Sequence, residues 1–136
     1  MNISNTEIKV RGYHLDVYQH VNNARYLEFL EEARWNHYQD YPPSYFVDKG
    51  WGVIIVNINI NYKFPAVLGD TLDVQTSLLK IGKSSITFQQ EIRIKENNKL
   101  AVSAEVTFVI IDLKTNKIMT IEGEIEKVLT RTKKLN

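Results

Sequence analysis

The chain has 136 residues, of which 43% are hydrophobic and 24% are charged. This composition is typical of one globular domain and excludes a disordered chain, because the apolar surface can offset the entropy lost on folding. The formal net charge of +1 excludes a strong electrostatic field for nucleic acid or an anionic membrane. The chain has no cysteine, which excludes disulfides, thiolate metal sites and a cysteine nucleophile.

No segment of the chain has the pattern of a membrane span or a signal peptide. The longest apolar runs, 53–56 and 108–111, are far shorter than the roughly 20 residues that cross a bilayer. The N-terminal residues contain no apolar h-region. We therefore predict a single soluble, cytoplasmic domain over residues 1–136, ending in a short solvated basic tail from Arg131 to Lys134.

The N-terminal part of the chain predicts a strand, an irregular loop and one long helix. The strand is predicted over 7–12 and the polar loop over 13–21. Asn22 or Asn23 is expected to start the helix, because an Asn side chain accepts hydrogen bonds from the free first-turn amides. The helix is expected to end before Pro42. Its predicted apolar stripe consists of Tyr26, Leu27, Phe29, Leu30, Ala33 and Trp35.

After the prolines, the hydrophobic period changes from that of a helix to that of a strand. Alternating runs over 54–63, 71–81, 86–95 and 100–110 predict four long strands, and short turns between them favour antiparallel pairing. In the first run, one face is predicted to hold Ile54, Val56, Ile58, Ile60 and Tyr62.

The helix and the sheet each have one apolar face to bury. The economical solution is an α+β domain in which a curved antiparallel sheet of five or six strands wraps around the one long helix. Asn57, Asn59 and Asn61 alternate with the apolar residues of their strand. They predict a polar outer face of the sheet, an interface between subunits or substrate contacts.

The loop before the helix contains the side chains best suited to chemistry, His14, Asp16 and His20. The first-turn amides of a helix are unpaired and carry partial positive charge, so they can stabilise an oxyanion. An Asp or His beside them could attack a carbonyl or activate water. The same residues could instead satisfy backbone groups and cap the helix, and the pattern alone leaves both interpretations open.

Other chemical motifs are weak or absent. The spacing of His14, Asp16 and His20 matches no metal motif, and we predict no metal site. No nucleophile elbow or dinucleotide fingerprint is present, and the segment 82–85 lacks the frame of a P-loop. Lys83 and the neighbouring amides could contact a phosphate, or the segment could be an ordinary hairpin turn.

The run from Val10 to Arg34 resembles the signature of the 4-hydroxybenzoyl-CoA thioesterase family, whose members are hotdog-fold acyl-CoA thioesterases. The family pattern is an Asp, a His-Val-Asn-Asn run and a Tyr ten residues after the Asp, which here are Asp16, residues 20–23 and Tyr26. The stretches 56–70, 82–85 and 108–114 also resemble the family, so the likeness covers nearly the whole chain. The sequence is similar in particular to bacterial long-chain acyl-CoA thioesterases associated with fatty-acid β-oxidation.

This resemblance implies a hotdog fold and hydrolysis of a long-chain acyl-CoA to fatty acid and CoA, with no metal or organic cofactor. Asp16 falls where the family has its catalytic carboxylate, which acts as nucleophile or general base. The Asn23 amide falls where the thioester carbonyl is polarised. Asn22 and His20 are expected to shape the loop, and His20 to bind water or the leaving group. The turn formed by Lys83, Ser84 and Ser85 is expected near the CoA nucleotide.

The resemblance also implies a homodimer or homotetramer, in which the acyl chain lies between the helix and a neighbouring subunit's sheet. Tyr26, Phe29 and Leu30 are expected beside that tunnel. Two positions depart from the relatives: Gln19 replaces a common Gly, and Tyr18 replaces an Asn of the plant acyl-carrier-protein thioesterases. Two other functions stay open, a hotdog hydratase or dehydratase that leaves the thioester intact, and a non-catalytic acyl-CoA-binding module.

Overall fold

The computed structural model describes residues 3–131, so residues 132–134 of the predicted basic tail lie outside the described part. Five strands and three α-helices are formed within it. In chain order they are β1 (Ile3–Lys9), α1 (Asn23–His37), α2 (Pro43–Asp48), β2 (Trp51–Tyr62), β3 (Thr71–Ile81), β4 (Ile86–Ile94), β5 (Lys99–Asp112) and α3 (Gly123–Leu129). A short 3₁₀ turn, Gly12–His14, precedes the loop that leads into α1.

The five strands form one sheet in the order β1-β3-β4-β5-β2, and every neighbouring pair is antiparallel. β-Bulges interrupt three of the four ladders, and such bulges bend a sheet and increase its twist. Helix α1 packs against β1 and β3 on the inner face. The predicted α+β domain, with a curved antiparallel sheet around one long helix, is confirmed.

Helix α1 begins where the sequence predicts, because the side chain of Asn22 accepts a hydrogen bond from the Ala24 N–H at 2.9 Å. It ends at His37, well before the prolines, since Tyr38 leaves the helical region of backbone space. The predicted stripe was wrong at Leu27, which is 37% exposed. The buried face consists of Tyr26, Phe29, Leu30, Ala33, Arg34 and His37.

Helices α2 and α3 were missed by the sequence analysis. Pro43 occupies the first turn of α2, where its fixed φ and missing N–H cost nothing. Both helices are short and bury their apolar residues in a second core cluster around Phe88 and Phe108. They therefore depend on tertiary packing and give no long helical period in the sequence.

Strand β2 corrects the predicted alternation, because a bulge falls at Val56. Before the bulge, Val53 and Ile55 pair with the buried Ile110 and Phe108 and share their inner face. After it, the inner face passes to Ile58, Ile60 and Tyr62, which pair with Val106, Ala104 and Val102. Ile54 therefore lies on the outer face, opposite to Ile58, Ile60 and Tyr62, and the prediction that they share a face was wrong. Asn57, Asn59 and Asn61 lie on the outer face, as predicted.

Candidate active site

The loop before α1 holds Asp16 in a defined conformation. Its Oδ1 accepts hydrogen bonds from the backbone N–H groups of Tyr18 at 2.9 Å and His20 at 3.3 Å. The Asp16 N–H in turn donates to the His20 carbonyl at 2.8 Å. This turn occupies one carboxylate oxygen, while Oδ2 accepts no hydrogen bond from any other residue between 3 and 131. One oxygen of Asp16 is thus left for a substrate or water.

Gln19 adopts φ of +65° at the tip of this loop. Only glycine takes this left-handed region without steric cost, although Asn and other residues enter it in tight turns. Gln19 therefore holds a backbone conformation that a glycine would adopt more easily. This conformation places a modest strain at the residue three positions after Asp16.

The first turn of α1 leaves one amide free beside the loop. Asn22 accepts hydrogen bonds from two of the first-turn amides. Its side-chain oxygen accepts the Ala24 N–H and its backbone carbonyl accepts the Arg25 N–H, both at 2.9 Å. The Asn23 N–H has no hydrogen-bond partner within residues 3–131. A free amide at a helix N-terminus is a suitable donor to a developing oxyanion.

Asp16 and Asn23 line one pocket of about 210 Å³, which we call the Asp16 pocket. Tyr26 lies in its wall, and its hydroxyl oxygen accepts the Ala66 N–H at 3.0 Å. Tyr62 closes another side and donates to the Asn23 carbonyl at 3.3 Å. The remaining wall residues are His20, Val21, Lys63, Phe64, Pro65 and Ala101.

Of the residues selected from the sequence, Asp16, His20, Asn23 and Tyr26 thus meet in one pocket. The exposed His20 lies at the edge of the pocket. Asn22 does not line the pocket, and it contributes only by capping the first turn of α1. Sequence reasoning missed the contribution of the segment 62–65, which begins at the last residue of β2. The inward position of Tyr62 in the strand alternation was the available signal.

Two predicted wall residues, Phe29 and Leu30, lie elsewhere. They are 5% and 0% exposed and belong to the core that α1 shares with its own sheet. Neither lines the Asp16 pocket.

His14 also lies outside the Asp16 pocket. Its Nδ1 accepts the Arg11 N–H at 2.9 Å, and its ring packs edge-on against Phe29. Burial is the main cause that lowers the pKa of His14.

The turn with Lys83, Ser84 and Ser85 does not approach the Asp16 pocket of the same chain. It joins β3 to β4, closed by a hydrogen bond from the Gly82 N–H to the Ser85 carbonyl at 2.8 Å. The adjoining residue of β4 pairs with Phe108, whereas Ala101 of the pocket lies roughly 23 Å away along β5. The two features therefore occupy opposite ends of the sheet.

Residues 3–131 contain neither a cluster of metal ligands nor a membrane-spanning helix. No group of three His, Cys, Asp or Glu side chains is arranged to hold a metal ion there. Within the same range, no helix has the length and apolar character to span a membrane.

The fold and the pocket define a class of protein. Residues 10–129 match the model of the Thioesterase-like superfamily. The chain belongs to this superfamily, and the predicted class, a thioesterase of hotdog fold, is confirmed.

The relatives are similar over almost their full length. The chain is 48% identical over 125 residues to the long-chain acyl-CoA thioesterase FadM of Escherichia coli, covering 91% of this chain and 95% of that protein. The crystal structure of YbaW, a probable thioesterase from Escherichia coli, has a TM-score of 0.85 at 47% identity, with 93% and 96% of the two chains covered. A DHNA-CoA thioesterase from Staphylococcus aureus shares the fold, with a TM-score of 0.86 at 19% identity and coverage of 95% and 89%.

Proposed function

We propose that this chain hydrolyses long-chain fatty acyl-CoA thioesters to free fatty acid and CoA, in the cytoplasm. The observation that carries the proposal is the meeting of the Asp16 carboxylate and the free Asn23 amide in one pocket. The similarity to a long-chain acyl-CoA thioesterase supports the substrate class. A place in fatty-acid β-oxidation is proposed on the resemblance of the sequence alone.

In the proposed mechanism, the thioester carbonyl lies over the start of α1 and accepts a hydrogen bond from the Asn23 N–H. This donor stabilises the oxyanion that forms when the carbonyl carbon is attacked. Asp16 acts through its free oxygen in one of two ways. It removes a proton from the attacking water, or it attacks the carbonyl and forms an anhydride that water then hydrolyses.

In both routes the C–S bond breaks and CoA leaves as a thiolate, which takes up the proton released by water. We propose that His20, which is exposed and lines the pocket, binds that water or the leaving sulfur. Asn22 contributes indirectly, because its cap of the Ala24 amide fixes the first turn and so the direction of the neighbouring Asn23 N–H. No step needs a metal or an organic cofactor.

We also propose that two copies pair through β2, which is an edge strand of the sheet. This edge is long and apolar, since Val56 is 53% exposed and Ile58 is 36% exposed. Unprotected edges of this kind are rare in monomers, because their free N–H and C=O groups and apolar side chains favour pairing with another chain. A two-fold axis beside β2 would create one continuous antiparallel sheet.

Such a dimer also gives the β3–β4 turn a role. A two-fold axis reverses the direction of the second copy's strands, so its β3–β4 turn comes to the Asp16 end of this chain. The Lys83 ammonium and the Ser84 and Ser85 hydroxyls of that copy would then be available to the CoA phosphates. The polar outer face with Asn57, Asn59 and Asn61 is the candidate contact for a homotetramer.

The test is CoA release from palmitoyl-CoA, followed with a thiol-reactive dye. The protein contributes no background, because it has no cysteine. Asp16→Asn keeps the oxygen that accepts from Tyr18 and His20 but removes the carboxylate charge. We expect turnover to fall roughly 10²- to 10⁴-fold.

Asp112→Asn is the matched control. Asp112 accepts the Lys114 N–H at 2.8 Å and the Thr115 N–H at 3.3 Å in a similar turn that does not line the pocket. We expect its turnover to equal that of the wild type. A loss below tenfold in a folded Asp16→Asn protein would remove Asp16 from the mechanism. No CoA release at any chain length would favour a hydratase or a binding module.

A further inference from the structure

A second cavity, of about 260 Å³, lies beside the C-terminal half of α1, and we call it the Arg34 cavity. Apolar and aromatic residues form most of its wall, and the two charged residues there are Glu31 and Arg34. No residue of this wall also lines the Asp16 pocket, so the cavity is a separate site. The apolar and aromatic wall residues are Trp35, Tyr38, Phe46, Val53, Ile55, Phe88, Phe108 and Leu129.

Arg34 is held in the core by a hydrogen-bond network that joins α1 to two strands. One of its Nη1 N–H groups donates to Gln90 Oε1 at 3.1 Å. The Gln90 side-chain nitrogen donates in turn to the Leu30 carbonyl at 3.0 Å and to Thr76 Oγ1 at 2.9 Å. Gln90 and Thr76 are both fully buried and lie directly opposite each other on β4 and β3. The network therefore fixes the Arg34 side chain without the help of a ligand.

Most of the Arg34 guanidinium has no partner in the protein. The residue is 9% exposed, and within residues 3–131 only Gln90 accepts a hydrogen bond from it. Glu31 lies one turn earlier on α1, yet the two side chains form no ion pair in this part of the chain. No side-chain nitrogen of the described residues is both sealed from solvent and unpaired. The remaining N–H groups of Arg34 are therefore accessible from the cavity that this residue lines.

This cation lacks a counter-charge. Burial lowers the pKa of Arg34, and the negative charge of Glu31 opposes that effect. A guanidinium nevertheless stays protonated in proteins, and a buried charge without a partner is unfavourable. A carboxylate can accept two N–H groups of one guanidinium side by side. A carboxylate ligand would thus complete the pairing that the protein leaves open.

The cavity is closed towards the core and open towards solvent. Phe88, Phe108 and Leu129 are buried, whereas Glu31 is exposed and Ile55 is 38% exposed. A ligand can therefore enter past Ile55. Water and salt screen the charge of the exposed Glu31 far more than that of the buried Arg34, so an anion is still favoured inside.

We propose that the Arg34 cavity binds a small monocarboxylate with an apolar body, whose carboxylate pairs with Arg34. The aromatic wall would contact the apolar body. An apolar cavity of about 150 Å³ holds one benzene molecule, so about 260 Å³ suits a single ring with a short acid side chain or an alkyl acid of about eight carbons. An uncharged ligand would cover the guanidinium without replacing its water, which is unfavourable. Binding at this site is independent of the proposed thioesterase function.

The test measures binding of 3-phenylpropanoate and octanoate to the wild-type protein by isothermal titration calorimetry, with the uncharged amide of each acid as its control. We expect the better acid to bind at least roughly tenfold more tightly than its amide, because hydrogen bonds to a buried charge are strong. The tighter of the two acids shows whether the site takes an aryl or an alkyl acid. If neither acid binds, or if the amides bind as tightly, the proposal is wrong.

Arg34→Met keeps the apolar length of the side chain and removes the cation. We expect its affinity for the acid to fall at least roughly tenfold and its affinity for the amide to change less than about twofold. Arg93→Met is the matched control, because Arg93 is exposed on β4 and does not line the cavity. It should bind both ligands as the wild type does.

A folded Arg34→Met protein that binds the acid as tightly as the wild type would place the carboxylate elsewhere and overturn the proposal. If Arg34→Met does not fold, the comparison of acid and amide in the wild type still decides. The readout is the heat of binding, so the result does not depend on whether the protein releases CoA.

Discussion

The hydroxyl oxygen of Tyr26 accepts a hydrogen bond from the buried N–H of Ala66 at 3.0 Å. The carbonyl of Ala66 in turn accepts the Val21 N–H at 2.9 Å. Helix α1, the loop that holds Asp16 and the segment after β2 are thus joined at one residue, which is 0% exposed. The position of the loop relative to the helix start depends on this contact.

Tyr26→Phe should lower the free energy of unfolding by roughly 1–3 kcal/mol, because it leaves the buried Ala66 N–H without a partner. Urea unfolding measures this change. Tyr62→Phe is the comparison, since its hydroxyl is at a partly exposed site and makes a longer bond of 3.3 Å. We expect its effect to stay below about 0.5 kcal/mol. Equal losses in the two variants would show that the Ala66 contact is not the cause.

Asn22→Ala should cost about 0.5–2 kcal/mol of stability, because the Ala24 amide loses its cap. If the cap also orients the Asn23 amide, kcat should fall more than KM rises. Asn22→Ser, which restores an oxygen at the cap, should recover most of both stability and kcat. Loss of stability without loss of kcat would limit Asn22 to a structural role.

Gln19→Val should destabilise the protein by roughly 1–2 kcal/mol, since a β-branched side chain is strained at φ of +65°. Gln19→Gly should be tolerated, with stability within about 1 kcal/mol of the wild type. Thermal unfolding and CoA release are measured on both variants. A stable, active Gln19→Val protein would show that the loop follows another path.

His37 should make stability depend on pH. Its ring is 2% exposed, its Nδ1 is 2.7 Å from the Ser4 hydroxyl, and the Arg131 guanidinium lies 3.2 Å from the same nitrogen. Burial, assisted by the positive charge of Arg131, lowers the pKa of His37 to about 4. The unfolded chain therefore binds a proton that the folded chain does not, between pH about 6.5 and about 4.

The contribution of His37 is consequently complete above pH about 6.5 and is lost as the pH falls towards 4. Between pH 7 and pH 5, the wild type should lose roughly 1–2 kcal/mol more than His37→Gln, which cannot be protonated. Urea unfolding at the two pH values gives both differences. Parallel losses in the two proteins would show that His37 does not titrate in this range.

Much of the fold follows from local patterns. The bounds of β3 match the prediction, since its flanking turns and its alternation up to Leu78 are both visible in the sequence. The start of α1 was predicted because a cap is a local interaction between Asn22 and the next two residues. The site residues Asp16, His20 and Asn23 were selected for the same reason, because they flank one helix start.

The errors have one physical origin, which is dependence on distant contacts. The bulge at Val56 reverses the faces of β2, and no local signal distinguishes the bulged residue from its apolar neighbours. Leu27 was predicted in the buried stripe, although 37% of its surface is exposed. The helices α2 and α3 were missed because packing around Phe88 and Phe108 stabilises them.

The sequence by itself determined the α+β architecture, the loop–helix motif and the resemblance to thioesterases, because each depends on residue type and short spacing. Only the tertiary structure decided that the end of β2 closes the Asp16 pocket and that the β3–β4 turn lies far from it. It also decided which side of α1 is buried in the core and which side is exposed. These features depend on how distant segments pack, and packing is a property of the whole chain.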